Sequence, residues 1–262
     1  MRGIAVPAGQ DRQAFLAQSS TKTEPPHLTA GVCYADKAAF QSGGLFSICL
    51  HLIERTMRCR MIKLFWTPNS SATRILWMLE EIGLQYEVAH VDISARPRND
   101  PADFLAISPL GKVPALQDNS RGLWGSAQIC VYLADKYAPG RLAPLPDDET
   151  RAEYIQWMFF SPSALEPAMM EKFMGLESNR EATGWGSWDL MIDQLNGRIQ
   201  GREWVAGDQF SAADIMMCSS IEFLLHFRLT EATEAMRAFM ARCEVRAPYQ
   251  RSKEKDRSLL TS

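Results

Sequence analysis

The chain has 262 residues, of which 46% are hydrophobic and 23% charged, with a formal net charge of −3. That size allows one large or two ordinary domains with their own cores. No concentrated run of Lys and Arg exists to hold a nucleic-acid backbone, and no apolar stretch approaches the roughly 20 residues that span a bilayer.

Residues 1–60 are expected to lie outside the folded unit. Met1 to Gly44 is rich in Ser, Ala, Gly, Gln and Pro, without sustained periodicity. It lacks a signal-peptide core, and Asp11 and Glu24 argue against a transit peptide. The expectation is an extension from an early start codon, with Met57 or Met61 as the natural start, or a disordered tail. Neither has a catalytic role.

The first clear pattern is Met61–Trp66, which alternates as a strand does. Thr67-Pro68-Asn69-Ser70-Ser71 reads as a loop ending in good N-cap residues. From Arg74 to Gly83 the period becomes helical, with Ile75, Leu76, Leu79 and Ile82 on one face and Gly83 as terminator. Tyr86–Ile93 reads as a second strand, giving a βαβ unit with a parallel pair. A short helix or turn follows at 100–107, then Ser108–Leu116 leads into a strand. Arg121-Gly122 is expected as a turn and Leu123-Trp124 as a short hairpin strand. Ser126 opens a helix with Ile129, Leu133 and Tyr137 in register.

Pro and Gly density marks 140–147 as a linker. Beyond it only helical patterns occur, so 61–139 reads as an α/β domain, 148–256 as an all-helical one, and 257–262 as a tail. Glu153–Met174 is long and apolar, and Pro162 and Pro167 must bend or break it. Asp189–Ile199 continues the bundle. In Gly207–Met217, Ser211 is an N-cap, Asp214 the N3 acid, and Phe210 and Ile215 a hydrophobic staple. Asp214 is therefore expected to be structural. Segments 232–241 and 248–255 close the bundle, and His226 reads as a packing residue.

Of the six cysteines, none forms a Cys-x-x-Cys pair, and no His cluster has metal-ligand spacing. Cys130, Cys218 and Cys243 read as buried thiols in a reducing cytoplasm, and no metal is expected.

In this order and spacing, the strand–loop–helix Leu64–Ile75 with Leu79–Leu84, the Ser108–Leu116 stretch, the Ser126–Tyr137 helix and Gly207–Met217 resemble the cytosolic glutathione transferase family. The resemblance spans nearly all of 61–256. It implies a thioredoxin-like N-terminal domain that binds glutathione and an all-α C-terminal domain that holds an electrophile. It further implies a cytoplasmic homodimer whose co-substrate is glutathione. Its reaction adds the glutathione thiolate to an electrophilic small molecule. A hydroxyl at the first helix lowers the thiol pKa, and Ser70 and Ser71 are the candidates, Ser70 being preferred by its distance from Arg74. Thr67-Pro68-Asn69 resembles the loop of bacterial glutathione-dependent disulfide reductases, which makes Thr67 and Asn69 minor candidates and reduction an alternative reaction. Val113-Pro114 matches the family's cis-proline, which aims the backbone of Val113 at the cysteinyl part. Lys112 is expected to reach the glycyl carboxylate. Ser126 is expected to hold the γ-glutamyl carboxylate. Before it the family has an acid for the ammonium group; here stands Gly125. Restoring the acid there is expected to tighten glutathione binding. Gln128 or a residue from a partner subunit is an alternative source of the missing contact, and the absence of the acid also leaves open a non-catalytic dimeric binding module. Tyr154, Trp157 and Met158 are weak candidates for the electrophile pocket.

Overall fold

The computed structural model describes residues 61–260 apart from 96 and 178. The expectations for residues 1–60, with Cys33, Cys49 and Cys59, lie outside that range.

The chain opens with β1 (Ile62–Trp66), α1 (Thr73–Ile82), β2 (Glu87–His90) and α2 (Ala102–Ile107). It continues with β3 (Ala115–Asp118), β4 (Arg121–Trp124) and α3 (Ser126–Tyr137). The four strands form one sheet in the order β2-β1-β3-β4. β1 and β2 are parallel, as the βαβ reading expects, and β3 runs antiparallel to both β1 and β4. Strand alternation fixes which face each side chain covers. Ile62, Leu64, Trp66 and Leu116 join the main core with α1 and α3, whereas Phe65 and Ala115 form a smaller cluster with Phe104 and Val91. The hairpin turn falls at Asn119-Ser120, not at Arg121-Gly122. Asn119 takes the left-handed conformation there, with φ 55°, and Arg121 and Gly122 already pair in β4. Asparagine tolerates that geometry better than most residues.

Asp118, fully buried, locks α3 to the sheet. It accepts hydrogen bonds from Tyr132 at 2.7 Å, Lys136 at 2.6 Å and Tyr137 at 2.6 Å. Burial raises its pKa, but these donors outweigh that and hold its carboxyl below the usual value.

The helical part comprises α4 (Arg151–Phe160), α5 (Glu166–Met174), α6 (Trp188–Ile199), α7 (Ala212–His226), α8 (Glu234–Glu244) and α9 (Ala247–Leu260). The expected break near Pro162 is a π-helical turn, Ser161–Leu165, joining α4 to α5. Such turns occur as single widened turns inside helices, and the buried face of α4 continues through this one at Ser161 and Leu165 into α5 at Ala168. The segment expected as a tail from 257 is helical to Leu260. α9 packs against α1, where Trp77 meets Tyr249 edge-on at 4.9 Å. Glu81 of α1 accepts both guanidinium nitrogens of Arg246, at 2.8 and 2.9 Å. At the start of α7 the capping box is complete: Asp214 accepts from Ser211 N–H at 2.8 Å while Ser211 caps the helix. Asp214 also accepts from Val205 N–H at 2.7 Å. It is a structural residue, as the spacing indicates.

Candidate active site

The loop after β1 is ordered by its own side chains. Ser70 Oγ donates to Thr67 C=O at 2.7 Å and accepts from Ala72 N–H at 3.2 Å. Ala72, not a serine, takes the N-cap position of α1. The Ser70 hydroxyl is thus spent on its own turn, against the preference that counting back from Arg74 suggests. Ser71 makes no hydrogen bond to a described residue and lines a cavity of about 310 Å³. Thr67 is buried beneath the loop, and Asn69 has φ 53° and is exposed. Asn69 borders a different cavity, between α7 and α9, with Glu222, His226, Lys253 and Asp256. His226 is exposed there, correcting its reading as a packing residue.

The Val113–Pro114 peptide is cis, as expected. Ser108 holds the approach to it: its hydroxyl donates to Lys112 C=O at 2.8 Å and accepts Lys112 N–H at 3.2 Å. Lys112 is exposed and Val113 half-buried. Gly125 N–H then bonds Pro114 C=O at 3.2 Å, tying this turn to the start of α3. Gly125 is the N-cap of α3 at φ 87°, and no side chain caps this helix. A Cβ at 125 would stand 2.4 Å from Gln128 Oε1. The position is thus strained for any side chain and already fronted by Gln128. Restoring an acid there therefore conflicts with the local backbone and does not simply fill a gap.

The residue that joins these pieces is Arg74, fully buried on α1. Its guanidinium donates to Ser126 Oγ at 2.9 Å on α3 and to Glu166 Oε1 at 2.6 Å on α5. It also donates to Ser219 at 3.1 Å and Ser220 at 3.1 Å on α7, and lies 5.7 Å from the Phe223 ring centre. A buried cation persists only when paired and hydrogen-bonded. Sequence reading used Arg74 as a marker and missed this role. Its signal was present: Arg74, Trp77, Met78 and Glu81 follow helical spacing and are all buried.

The cavity beside Ser71 is walled by Met169, Met170 and Phe173 of α5, by Phe223 of α7, and by Phe227 and Leu229 just after it. Its polar groups are Ser71, Arg74 and Glu166. Tyr154, Trp157 and Met158 do not line it. Tyr154 and Met158 are fully buried in the core, and Trp157 packs on Phe160 at 4.9 Å. Tyr154 and Met158 lie on the face that stays buried through the π-turn, continued by Ser161, Leu165 and Ala168, whereas the cavity meets the adjacent face of α5 that carries Met169, Met170 and Phe173.

Cys130, Cys218 and Cys243 are buried free thiols, and burial pushes Cys130 up to about 12. Among the described residues no group of His, Cys, Asp and Glu could hold a metal ion, and no helix is long and apolar enough to cross a membrane.

The family model of the glutathione S-transferase N-terminal domain matches residues 70–136. Glutathione S-transferase 3 of Schizosaccharomyces pombe is 33% identical over 181 residues, covering 62% of this chain and 73% of that protein. The disulfide-bond oxidoreductase YfcG of Escherichia coli is 28% identical over 168 residues, covering 59% and 76%. The solved structure of a sphingomonad glutathione S-transferase complexed with glutathione is 27% identical, with a TM-score of 0.61 over 74% of this chain and 98% of that one. The four-stranded sheet, the cis-proline turn and the helical bundle agree with these likenesses, and the chain belongs to the glutathione S-transferase family.

Proposed function

We propose that the chain conjugates the thiolate of glutathione to an apolar electrophile, with Ser71 as the hydroxyl that meets the sulfur. The observation that carries this reading is the cavity itself: a hydroxyl without a described partner faces a wall of Met and Phe side chains at the start of α1. A free thiol has a pKa of about 8.5, so little of it is ionised at neutral pH. A donated hydrogen bond and the positive end of a helix both favour the thiolate. In this reading the Val113 backbone pairs with the cysteinyl part as an added strand does. Lys112 reaches the glycyl carboxylate, and Ser126 with the open end of α3 receives the γ-glutamyl carboxylate. Met170, Phe173 and Phe227 hold the electrophile by apolar contact. The cytoplasm as compartment and a homodimer as assembly belong to the same proposal; light scattering of the purified chain tests the latter.

The test is turnover with an aromatic halide. Ser71→Ala is expected to lower kcat roughly tenfold to a hundredfold, the range of one lost charge-assisted hydrogen bond. Ser70→Ala is expected to act on the stability of the loop instead. A tenfold loss in folded Ser70→Ala with Ser71→Ala near wild type would reverse the assignment.

A second reading, glutathione-dependent disulfide reduction, is favoured by the similarity to the E. coli oxidoreductase together with Thr67-Pro68-Asn69. Consumption of a glutathionylated disulfide, without conjugation of the halide, would select it. Failure of both assays, with no retention on immobilised glutathione, would select a non-catalytic binding module.

A further inference from the structure

The cavity beside Ser71 has apolar walls, but what it presents to a ligand is not neutral. Its three phenylalanines are set in a definite order. Phe223 and Phe227 lie nearly parallel, 8° apart with ring centres 6.2 Å distant, and Phe173 meets Phe227 at 71° and 6.1 Å. Phe173 and Phe227 thus form an aromatic corner, and both are exposed. The face of an aromatic ring is electron-rich, so rings set at an angle attract a positive charge from two sides. Met169 and Met170 add polarisable thioethers.

The charges around the cavity point the same way. The Arg74 side chain is only 1% exposed, and its guanidinium is committed to Glu166, Ser126, Ser219 and Ser220. It offers little to an anion in the cavity. Glu166, 43% exposed, presents the opposite charge. Its Oε1 accepts from Arg74 at 2.6 Å and from Ser161 Oγ at 3.2 Å, while Oε2 accepts no hydrogen bond from a described residue.

A primary ammonium is strongly hydrated and needs hydrogen-bond acceptors on entry. A quaternary ammonium has an apolar surface and binds by cation–π and Coulomb attraction, which aromatic faces and one carboxylate supply. Resting on the conjugation reading above, we infer that the electrophile taken here is cationic: a small molecule with an apolar body and a quaternary ammonium group, seated in the Phe173–Phe227 corner with Glu166 Oε2 as its counter-ion. A cavity of about 310 Å³ suits one substituted ring. A carboxylate in the same place would face Glu166 and be repelled.

The experiment uses three para-substituted benzyl chlorides. One carries a trimethylammoniomethyl group, one the isosteric neutral neopentyl group, and one a carboxymethyl group. In each, the glutathione sulfur bonds to the benzylic carbon as chloride leaves. Each kcat/KM is divided by the uncatalysed rate constant with glutathione, which removes intrinsic reactivity. Wild type is expected to prefer the cation over its neutral isostere about tenfold and to take the anion worst. Glu166→Gln and Phe227→Leu should each cut that ratio by about threefold or more, whereas Glu166→Asp should keep most of it. A merely structural role for Glu166, as counter-ion to Arg74, predicts that Glu166→Gln slows all three chlorides alike and keeps the ratio, which overturns the inference. Wild type that prefers the neutral or anionic chloride, shows no preference, or conjugates the aromatic halide alone overturns it without any variant, should Glu166→Gln fail to fold; the conjugation reading then still stands. Wild type that conjugates neither the chlorides nor the aromatic halide sinks the functional reading, and this inference with it.

Discussion

Two helix starts in this molecule have been solved in opposite ways. At α7, Ser211 and Asp214 satisfy the free N–H groups with their own side chains, and Asp214 is buried beneath the Val205 backbone. At α3, a glycine occupies the N-cap, the first turn has no acid, and the Ser126 hydroxyl turns to Arg74. Both ends carry the same partial positive charge. The difference lies in whether local side chains consume the donors of an electropositive helix end. α7 spends its donors on the fold; no side chain caps α3, and the proposed function assigns its donors to a ligand.

The comparison breaks most visibly at Asp214. Asp214→Ala leaves two buried N–H groups, of Val205 and Ser211, without an acceptor. The expected cost is about 3 kcal/mol, or roughly 6–12 °C in the melting temperature, with turnover per folded molecule unchanged. A normal melt with lost turnover would show that α7 is the functional end. Matched serine variants sharpen the contrast. Ser126→Ala should raise KM for glutathione about tenfold and, by leaving a buried Arg74 N–H without its acceptor, also lower stability by about 1–2 kcal/mol, whereas Ser211→Ala should lower stability by about 1 kcal/mol with KM unchanged. Equal behaviour of the two in steady-state kinetics and melting would erase the distinction. Placing an acid at α3, Gly125→Glu, forces a side chain onto a φ of 87° and against Gln128. We expect a loss of about 1–2 kcal/mol and no gain in glutathione affinity by calorimetry.

The smallest effect is a slope. Burial raises the Asp214 carboxyl from 3.8 to about 7, while its Val205 and Ser211 donors pull the other way. The folded chain therefore binds this proton more tightly than the unfolded chain, and the associated stability is complete below the unfolded value. It is lost as pH rises through about 7. Across that window, wild type should lose stability relative to Asp214→Asn. A difference curve that is flat, or rises with pH, would show that the hydrogen bonds dominate burial.

The strands, the first helices and the α7 cap were legible because each depends on neighbours in sequence. Alternation in Ile62–Trp66, the period from Ile75 to Ile82, and the Ser211–Asp214 spacing are local signals. The cis Val113–Pro114 turn came through resemblance and agrees with the structure. Which residues wall the cavity beside Ser71 was not legible. Residues of α4 share the apolar character of the α5 wall, and which of two neighbouring apolar faces the core buries is decided by packing against distant helices, not by local periodicity. Ser70 and Ser71 are chemically identical in the sequence, and only the bond from Ser70 to Thr67 C=O separates their fates.

The sequence by itself thus determined which segments become helix or strand and which family they compose, since propensity, capping and periodicity act over a few residues. Only the tertiary structure decided where Arg74 is neutralised, which serine faces the cavity, and that Glu166 comes to lie beside the start of α3. Those outcomes join residues 52 and 92 positions apart through one buried guanidinium. A buried charge must find partners wherever packing brings them, and sequence distance carries no record of that.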